Sequence, residues 1–157
     1  MTIIRPISAK DRSQLLDLVR QQKNFNAQEV EVAIEVIDDT LNPDKNDYLI
    51  LVAVTEEEQV VGFICYGEIP MTDRRFDLYW VAVDPALGRQ GVGKLLLARM
   101  EAELAEQGPA RVYVDTSSTP GYDPARGFYE KNGYRVACVL HDFYRDGDDR
   151  VIYLKEL

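Results

Sequence analysis

The stretch Gly88 to Lys94, GRQGVGK, holds three glycines and two cations within seven residues, a composition suited to cradling an anion on backbone N–H groups. It spells G-x-x-x-x-G-K, a nucleotide phosphate loop short of its last letter. That loop needs Ser or Thr after the lysine to bind Mg²⁺, and Leu95 stands there. Gly91 and Gly93 also begin a dinucleotide fingerprint, yet Leu96 occupies the place of its third glycine. Nucleoside triphosphates and dinucleotides are therefore disfavoured as the anion. A plain turn from strand into helix, for which glycine is well suited, stays open at this point.

Groups able to move protons stand at a few other places. Asp77 follows Arg74-Arg75 in RRFDLYWVAVD, Glu68 lies in GFICYGEIP, and Tyr129 lies in ARGFYEKNGYR. His141 is the only histidine, a residue type often used for proton transfer, but no Ser or Cys nucleophile motif accompanies it, which leaves it structural or substrate-lining. No spacing suited to metal ligands occurs, so no metal is expected. Cys65 in GFICYG and Cys138 in RVACVL sit inside apolar runs and are expected in the core.

Periodicity gives the elements that must position these groups. TIIRPIS predicts a strand, and Leu15, Leu16 and Val19 then recur at helical spacing. Asn26 with Glu29 forms a capping pattern for a second helix, with Val30, Ala33, Ile34, Ile37 and Leu41 on one stripe. DYLILVAVTEEEQVVGFICYGEIP reads as a hairpin turning at Glu56 to Gln59. RRFDLYWVAVD is a further strand, whose two-residue period places Asp77, Tyr79, Val81 and Val83 on one face. After the glycine turn, Val92, Leu95, Leu96, Met100 and Leu104 share one side of a helix that stops at Gly108-Pro109. ARVYVDTSS is a strand, DPARGFYEKNG a short helix closed by Gly133, and YRVACVLHDFY and DRVIYLKEL are two final strands. The order β-α-α-β-β-β-α-β-α-β-β predicts a mixed α/β (α+β) fold, a mostly antiparallel central sheet flanked by helices, in one domain over residues 1–157.

Acidic residues outnumber basic ones 27 to 18, a formal charge of -9, which opposes non-specific binding to nucleic acid and weakly favours cationic partners. No apolar window approaches the length of a membrane span and no leader pattern opens the chain, so a cytoplasmic protein without membrane association is expected.

The strand ending VAVDP, the turn GRQGVGKLLL and the later corner ARGFYEKNGYR, in that order, resemble the GNAT superfamily of acyl-CoA-dependent N-acyltransferases. In the second motif the matching residues are Ala125, Tyr129, Gly133 and Tyr134, with Phe128 before the tyrosine. The informative likeness covers residues 76 to 135. Gly88 stands where the family carries Gln or Arg, and Tyr122 where it often carries Asn. The resemblance implies acetyl-CoA as cosubstrate, its pyrophosphate on Arg89, Gln90, Gly91, Val92, Gly93 and Lys94, with Tyr122 and Phe128 beside it.

Acetyl transfer to an amine needs a neutral amine, a stabilised oxyanion and a proton for the departing thiolate. By resemblance, Asp77 is the candidate base, acting through water, with Glu68 as the alternative. The backbone of Val81, Ala82 and Val83 is implied to bind the thioester arm and the oxyanion, and Tyr129 is the implied acid. The amine is expected near Tyr79, Glu68 and His141, and it is a small-molecule or peptide primary amine. A homodimer is possible, as in much of the superfamily. A GNAT-fold module that binds acyl-CoA or a partner without catalysis is the alternative, and within enzymes so is a ribosomal-protein-like N-terminal acetyltransferase, which DFYRDGDD resembles.

Overall fold

The structure, a computed structural model, describes residues 1–87 and 90–157. Its elements follow the expected order. They are β1 (Ile3–Pro6), α1 (Arg12–Arg20), α2 (Ala27–Leu41), β2 (Leu49–Val54), β3 (Val60–Glu68), β4 (Arg75–Val83), α3 (Val92–Glu106), β5 (Arg111–Ser117), α4 (Asp123–Lys131), β6 (Arg135–Arg145) and β7 (Asp148–Glu156). Short 3₁₀ turns precede α1, α3 and α4. The seven strands form one sheet in the order β1-β2-β3-β4-β5-β7-β6, antiparallel except for the pair β4–β5.

Helices cover both faces of this sheet. On one face, α1 and α2 close over Ile50, Val52, Val54, Phe63 and Cys65. On the other, Val92, Leu96, Leu97, Met100 and Leu104 of α3 pack on Ile64, Tyr66, Phe76, Leu78, Val112 and Val114. Gly62 lets α3 come this close, because a Cβ there would lie 3.1 Å from Val92 and 3.0 Å from the Ala82 carbonyl. At the far end of α3, the Arg74 side chain donates to the carbonyl of Leu104 in the last turn and to those of Gly108 and Pro109 just beyond it, tying the helix end to the start of β4. α2 starts as its sequence predicts, with the Asn26 side chain accepting from the Glu29 N–H at 2.8 Å.

Three expectations are corrected. Leu95 is half exposed, and Leu97 takes its place in the buried stripe of α3. Cys138 is exposed, because β6 is an edge strand exposed along its whole length; Cys65 is buried and its thiol is pushed up to about 12 by burial. Strand β4 does not keep one alternation. Cys65 of β3 pairs with Trp80 while Tyr66 pairs with Leu78, which leaves Tyr79 as an extra residue in a β-bulge. Phe76 and Leu78 below it face α3, and so do Val81 and Val83 above it. Asp77, on the opposite side of the strand from its neighbours Phe76 and Leu78, therefore does not share the face of Val81 and Val83.

Asp11, fully buried at the entry to α1, accepts from both terminal nitrogens of Arg5 at 2.8 and 2.9 Å and from the Ser8 N–H at 2.8 Å. Burial opposes its ionised form, but the bonds from Arg5 and Ser8 prevail and hold the carboxyl below its usual value. Asp11→Ala is expected to cost about 2–3 kcal/mol, the cost of stranding the Ser8 N–H and weakening the hold on Arg5. Because the folded pKa is depressed, the stabilisation is complete above the unfolded value of 3.8 and is lost as pH falls through the folded value. Urea titrations at pH 7 and pH 3 check this: the gap between wild type and variant narrows at the lower pH.

Candidate active site

Parallel strands β4 and β5 pair only through Arg75, Asp77 and the residue between them, opposite Arg111, Val112 and Tyr113. Beyond Asp77 the two strands part, and the bulge at Tyr79 begins where the pairing ends. A bulge bends its strand and raises the local twist, so it fits the place where β4 leaves β5. The Asp84 N–H donates to the Val61 carbonyl of β3, and by the alternation of an antiparallel ladder the backbone groups of Val81 and Val83 point away from β3, into the gap. The Val83 carbonyl there accepts from Gln22 Nε2 of the α1 terminus at 3.2 Å.

A cavity of about 490 Å³ fills this gap. Its walls include Tyr79, Trp80 and Val81 from β4, Asp115, Thr116 and Ser117 from β5, and Tyr122, Ala125 and Tyr129 from the α4 region. The segment after α1 and the start of α2 add Phe25 and Glu29, and the β6–β7 hairpin adds Tyr144, Arg145 and Asp148. Tyr129 is buried among Phe128, Tyr134 and Tyr153, at ring separations of 5.4, 5.7 and 6.1 Å, and burial alone pushes its phenol well above its usual value. Thr116 Oγ1 is buried without a hydrogen-bond partner among the described residues.

Carboxylates and aromatic rings dominate the other end. Glu29 is raised by burial, against the pull of Arg145. Asp148 is buried and accepts from Ser117 Oγ and from Arg145 Nη1, each at 2.5 Å. Phe25 packs on Trp80 at 6.2 Å, and Tyr79 lies edge-on to Tyr48 at 5.3 Å.

Asp77 lies elsewhere, in a second cavity of about 310 Å³ with Ile69, Thr72, Arg75, Tyr113, Arg150 and Ile152. Its carboxyl is raised, first by burial and then by the charge of Asp115. Asp115 lines both cavities and is held by Arg150 Nη2 at 2.6 Å. Glu68 is exposed at the end of β3 and lines neither cavity. The same holds for His141, an exposed ring on β6 whose Nδ1 lies 3.2 Å from Asp149 Oδ2. The Ala82 side chain is turned away, into the core under α1 and α2.

The glycine turn forms the start of α3. Gly91 is its N-cap in the left-handed region, at φ 79°, and a Cβ there would meet nothing within 4 Å. The N–H groups of Val92, Gly93 and Lys94 have no acceptor inside the helix, so they can take an anion. Gly93 lies against Phe128, 3.5 Å from a built Cβ to the ring. Gly88 and Arg89 lie outside the described residues. Glu29, Asp115, Thr116, Ser117, Tyr144 and Asp148 were not candidates from sequence; the polar run DTSST closing an otherwise apolar strand was the available signal for three of them.

A helix start whose first N–H groups have no acceptor inside the helix and a gap between parallel strands lined by a buried tyrosine fit a thioester carried on a diphosphate. The unpartnered Thr116 hydroxyl and the open space at Gly91 are features that such a ligand would use. No group of three or more His, Cys, Asp or Glu able to hold a metal occurs among the described residues. No described helix is long and apolar enough to cross a membrane.

Known proteins share this arrangement. A solved member of the GNAT family from Desulfovibrio desulfuricans is 34% identical, superposes with a TM-score of 0.94 and covers 99% of either chain. The N-acetyltransferase PaiA of Thermoplasma acidophilum, solved with coenzyme A, has the same fold at 23% identity, with a TM-score of 0.73 over 100% of this chain and 99% of its own. The alanine N-acetyltransferase of ribosomal protein bS18 from Escherichia coli K12 is 32% identical over 73 residues, 46% of this chain, and the match spans 48% of that relative's length. With the family model of the acetyltransferase (GNAT) domain matching residues 46–136, the chain belongs to the GNAT acetyltransferase family.

Proposed function

We propose that this protein is an N-acetyltransferase that moves an acetyl group from acetyl-CoA directly to a primary amine in the cytoplasm. The observation that carries the reading is the gap between β4 and β5, lined by Tyr129, with Gly93 at the start of α3 set against Val83 and Phe128. In this reading the N–H groups of Val92, Gly93 and Lys94 hold the diphosphate, with Arg89, Gln90 and the Lys94 side chain adding charge. Tyr122 and Phe128 border the arm, and Val81 offers it its N–H and carbonyl and Val83 its N–H, as a neighbouring strand would, the Val83 carbonyl being taken by Gln22. The bound cosubstrate supplies an activated acyl group to the amine.

At pH 7 an alkyl amine of pKa about 10.4 is neutral in roughly one molecule in 2,500. A base must therefore act. Asp77 is the proposed base, working through water from the adjoining cavity past Asp115. Its raised pKa supports the role, since a stronger base takes a proton more readily. Asp77→Asn is expected to depress kcat/KM chiefly at low pH, where the amine is hardest to deprotonate. The same variant should be slightly more stable at neutral pH: a carboxyl whose folded pKa is raised costs stability above that value, and Asn carries no such cost. Superimposable pH–rate profiles would remove Asp77 from the mechanism.

The acceptor is a cationic primary amine, either a small polyamine-like or amino-sugar molecule or a peptide N-terminus or lysine. Glu29, Asp115 and Asp148 beside the rings of Phe25, Trp80, Tyr79 and Tyr144 support this, because carboxylates and aromatic faces both attract ammonium groups. The test is release of coenzyme A from acetyl-CoA over a panel of cationic and anionic amines. Preference for an anionic acceptor overturns the charge argument, and intact thioester with every amine favours a binding module. The homodimer is proposed too, with the exposed residues Val136, Val139, Leu140 and Phe143 of β6 under the second copy; sedimentation of wild type and Leu140→Lys reads it.

A further inference from the structure

Thr116 brings a buried hydroxyl without a hydrogen-bond partner among the described residues to the apolar core under α3 and α4. Val112, Val114 and Thr116 alternate along β5 toward that core. Thr116 is only 4% exposed, and its Oγ1 has no partner among the described residues, although it borders the cavity that Tyr129 also lines. Its neighbour Ser117, on the opposite side of the strand, is fully engaged with Asp148 and Thr119. Leaving a buried hydroxyl unpaired costs on the order of 1–3 kcal/mol. Valine has nearly the same shape and β-propensity and would avoid that cost.

We propose that Thr116 is a binding and positioning residue whose hydroxyl bonds a polar group of the thioester-bearing arm of the cosubstrate, on the α4 side of the gap. The proposal rests on the acetyl-CoA reading above and adds to it a contact from β5. Three points favour the arm over the acceptor amine. Thr116 shares the face of Val112 and Val114, whereas Asp115 and Ser117 turn to the opposite face. Tyr129, the proposed partner of the leaving sulfur, packs in the same cluster as Val112 and Val114. The carboxylates suited to an ammonium group lie on α2, on the outward residues of β5 and on the hairpin. The hydroxyl is a donor as well as an acceptor, so the amides or the carbonyl of the arm can satisfy it.

This arrangement ties stability and binding together with opposite signs. Thr116→Val should melt about 2–4 °C higher than wild type without ligand, since it removes an unpaired buried hydroxyl. The same variant should bind coenzyme A about 3- to 10-fold more weakly, the loss of one neutral hydrogen bond, with an equal rise in the KM for acetyl-CoA and an unchanged KM for the amine. Thr116→Ser keeps the hydroxyl and should hold the affinity within twofold, even where its missing methyl lowers the melting temperature. The experiment is calorimetric titration of wild type and both variants with coenzyme A, alongside melting curves without ligand. Equal affinity of wild type and Thr116→Val overturns the proposal, and so does a change confined to the amine KM, which would assign the hydroxyl to the acceptor. Loss of affinity in Thr116→Ser to the same degree as in Thr116→Val also overturns it, as packing alone would then explain both. A wild type that binds no coenzyme A at all defeats the parent reading instead.

Discussion

Gly91→Asp is expected to weaken coenzyme A binding by about 100-fold or more while the protein stays folded. Gly91 sits at φ 79°, where a side chain ordinarily costs about 1–2 kcal/mol but Asp and Asn are tolerated best. No atom lies within 4 Å of the new Cβ, so there is no clash. A carboxylate at a helix N-terminus also gains from the dipole and from the free N–H groups, which offsets the backbone cost. The same gain is what excludes the ligand: the new charge occupies the N–H groups of α3 and repels a diphosphate at contact distance. Gly91→Asn fills the same space and can accept from the same N–H groups without the charge, so it should lose clearly less affinity than Gly91→Asp. Titration at two salt concentrations reads the difference, because repulsion between exposed charges is screened within about 10 Å at 0.1 M salt. Wild-type affinity in Gly91→Asp would move the diphosphate away from this turn.

Tyr129→Phe is expected to lower kcat by roughly 100-fold with coenzyme A affinity almost unchanged. Burial drives the phenol well above its usual value, so it stays protonated throughout the working range of pH. A thiol, with a pKa near 8.5, is the stronger acid of the two. Tyr129 therefore acts first as a hydrogen-bond donor to the charge developing on the leaving sulfur, and only follows with its proton as that charge completes. Phenylalanine fits the same aromatic cluster of Phe128, Tyr134 and Tyr153, and its melting temperature should stay within about 2 °C of wild type. An unaltered kcat would reduce Tyr129 to packing. A large loss of stability would show that its hydroxyl serves the fold.

The order of elements was legible because helical and two-residue periods are distinct over segments of this length. Finer placement failed where both faces of an element are apolar. In β4, Phe76, Leu78, Trp80 and Ala82 alternate with Tyr79, Val81 and Val83, so no pattern in the letters marks the bulge. Cys138 misled for a related reason: apolar residues on β6 read as core, but β6 is an edge strand exposed along its whole length. Local motifs gave the glycine turn, Tyr122 and Tyr129, since each depends on neighbours in sequence. Glu29, Asp115, Thr116 and Asp148 meet only through the gap between two strands, a property of the whole sheet. Arg89 lies outside the described residues.

The extra residue in β4 has an uneven value to the molecule. Remove Tyr79 from the chain and Leu78 is followed directly by Trp80. Simple alternation then sends Leu78 and Val81 toward α3 and Trp80 and Ala82 toward α1 and α2, which are the faces they already occupy. Every buried side chain of the strand would keep its side without the insertion. The facing of the strand is thus indifferent to Tyr79, although its ring meets Tyr48 and Trp80 at the edge of the core. What the deletion would remove is the departure of β4 from β5, leaving two strands free to zip along their length and a sheet with no opening for a ligand.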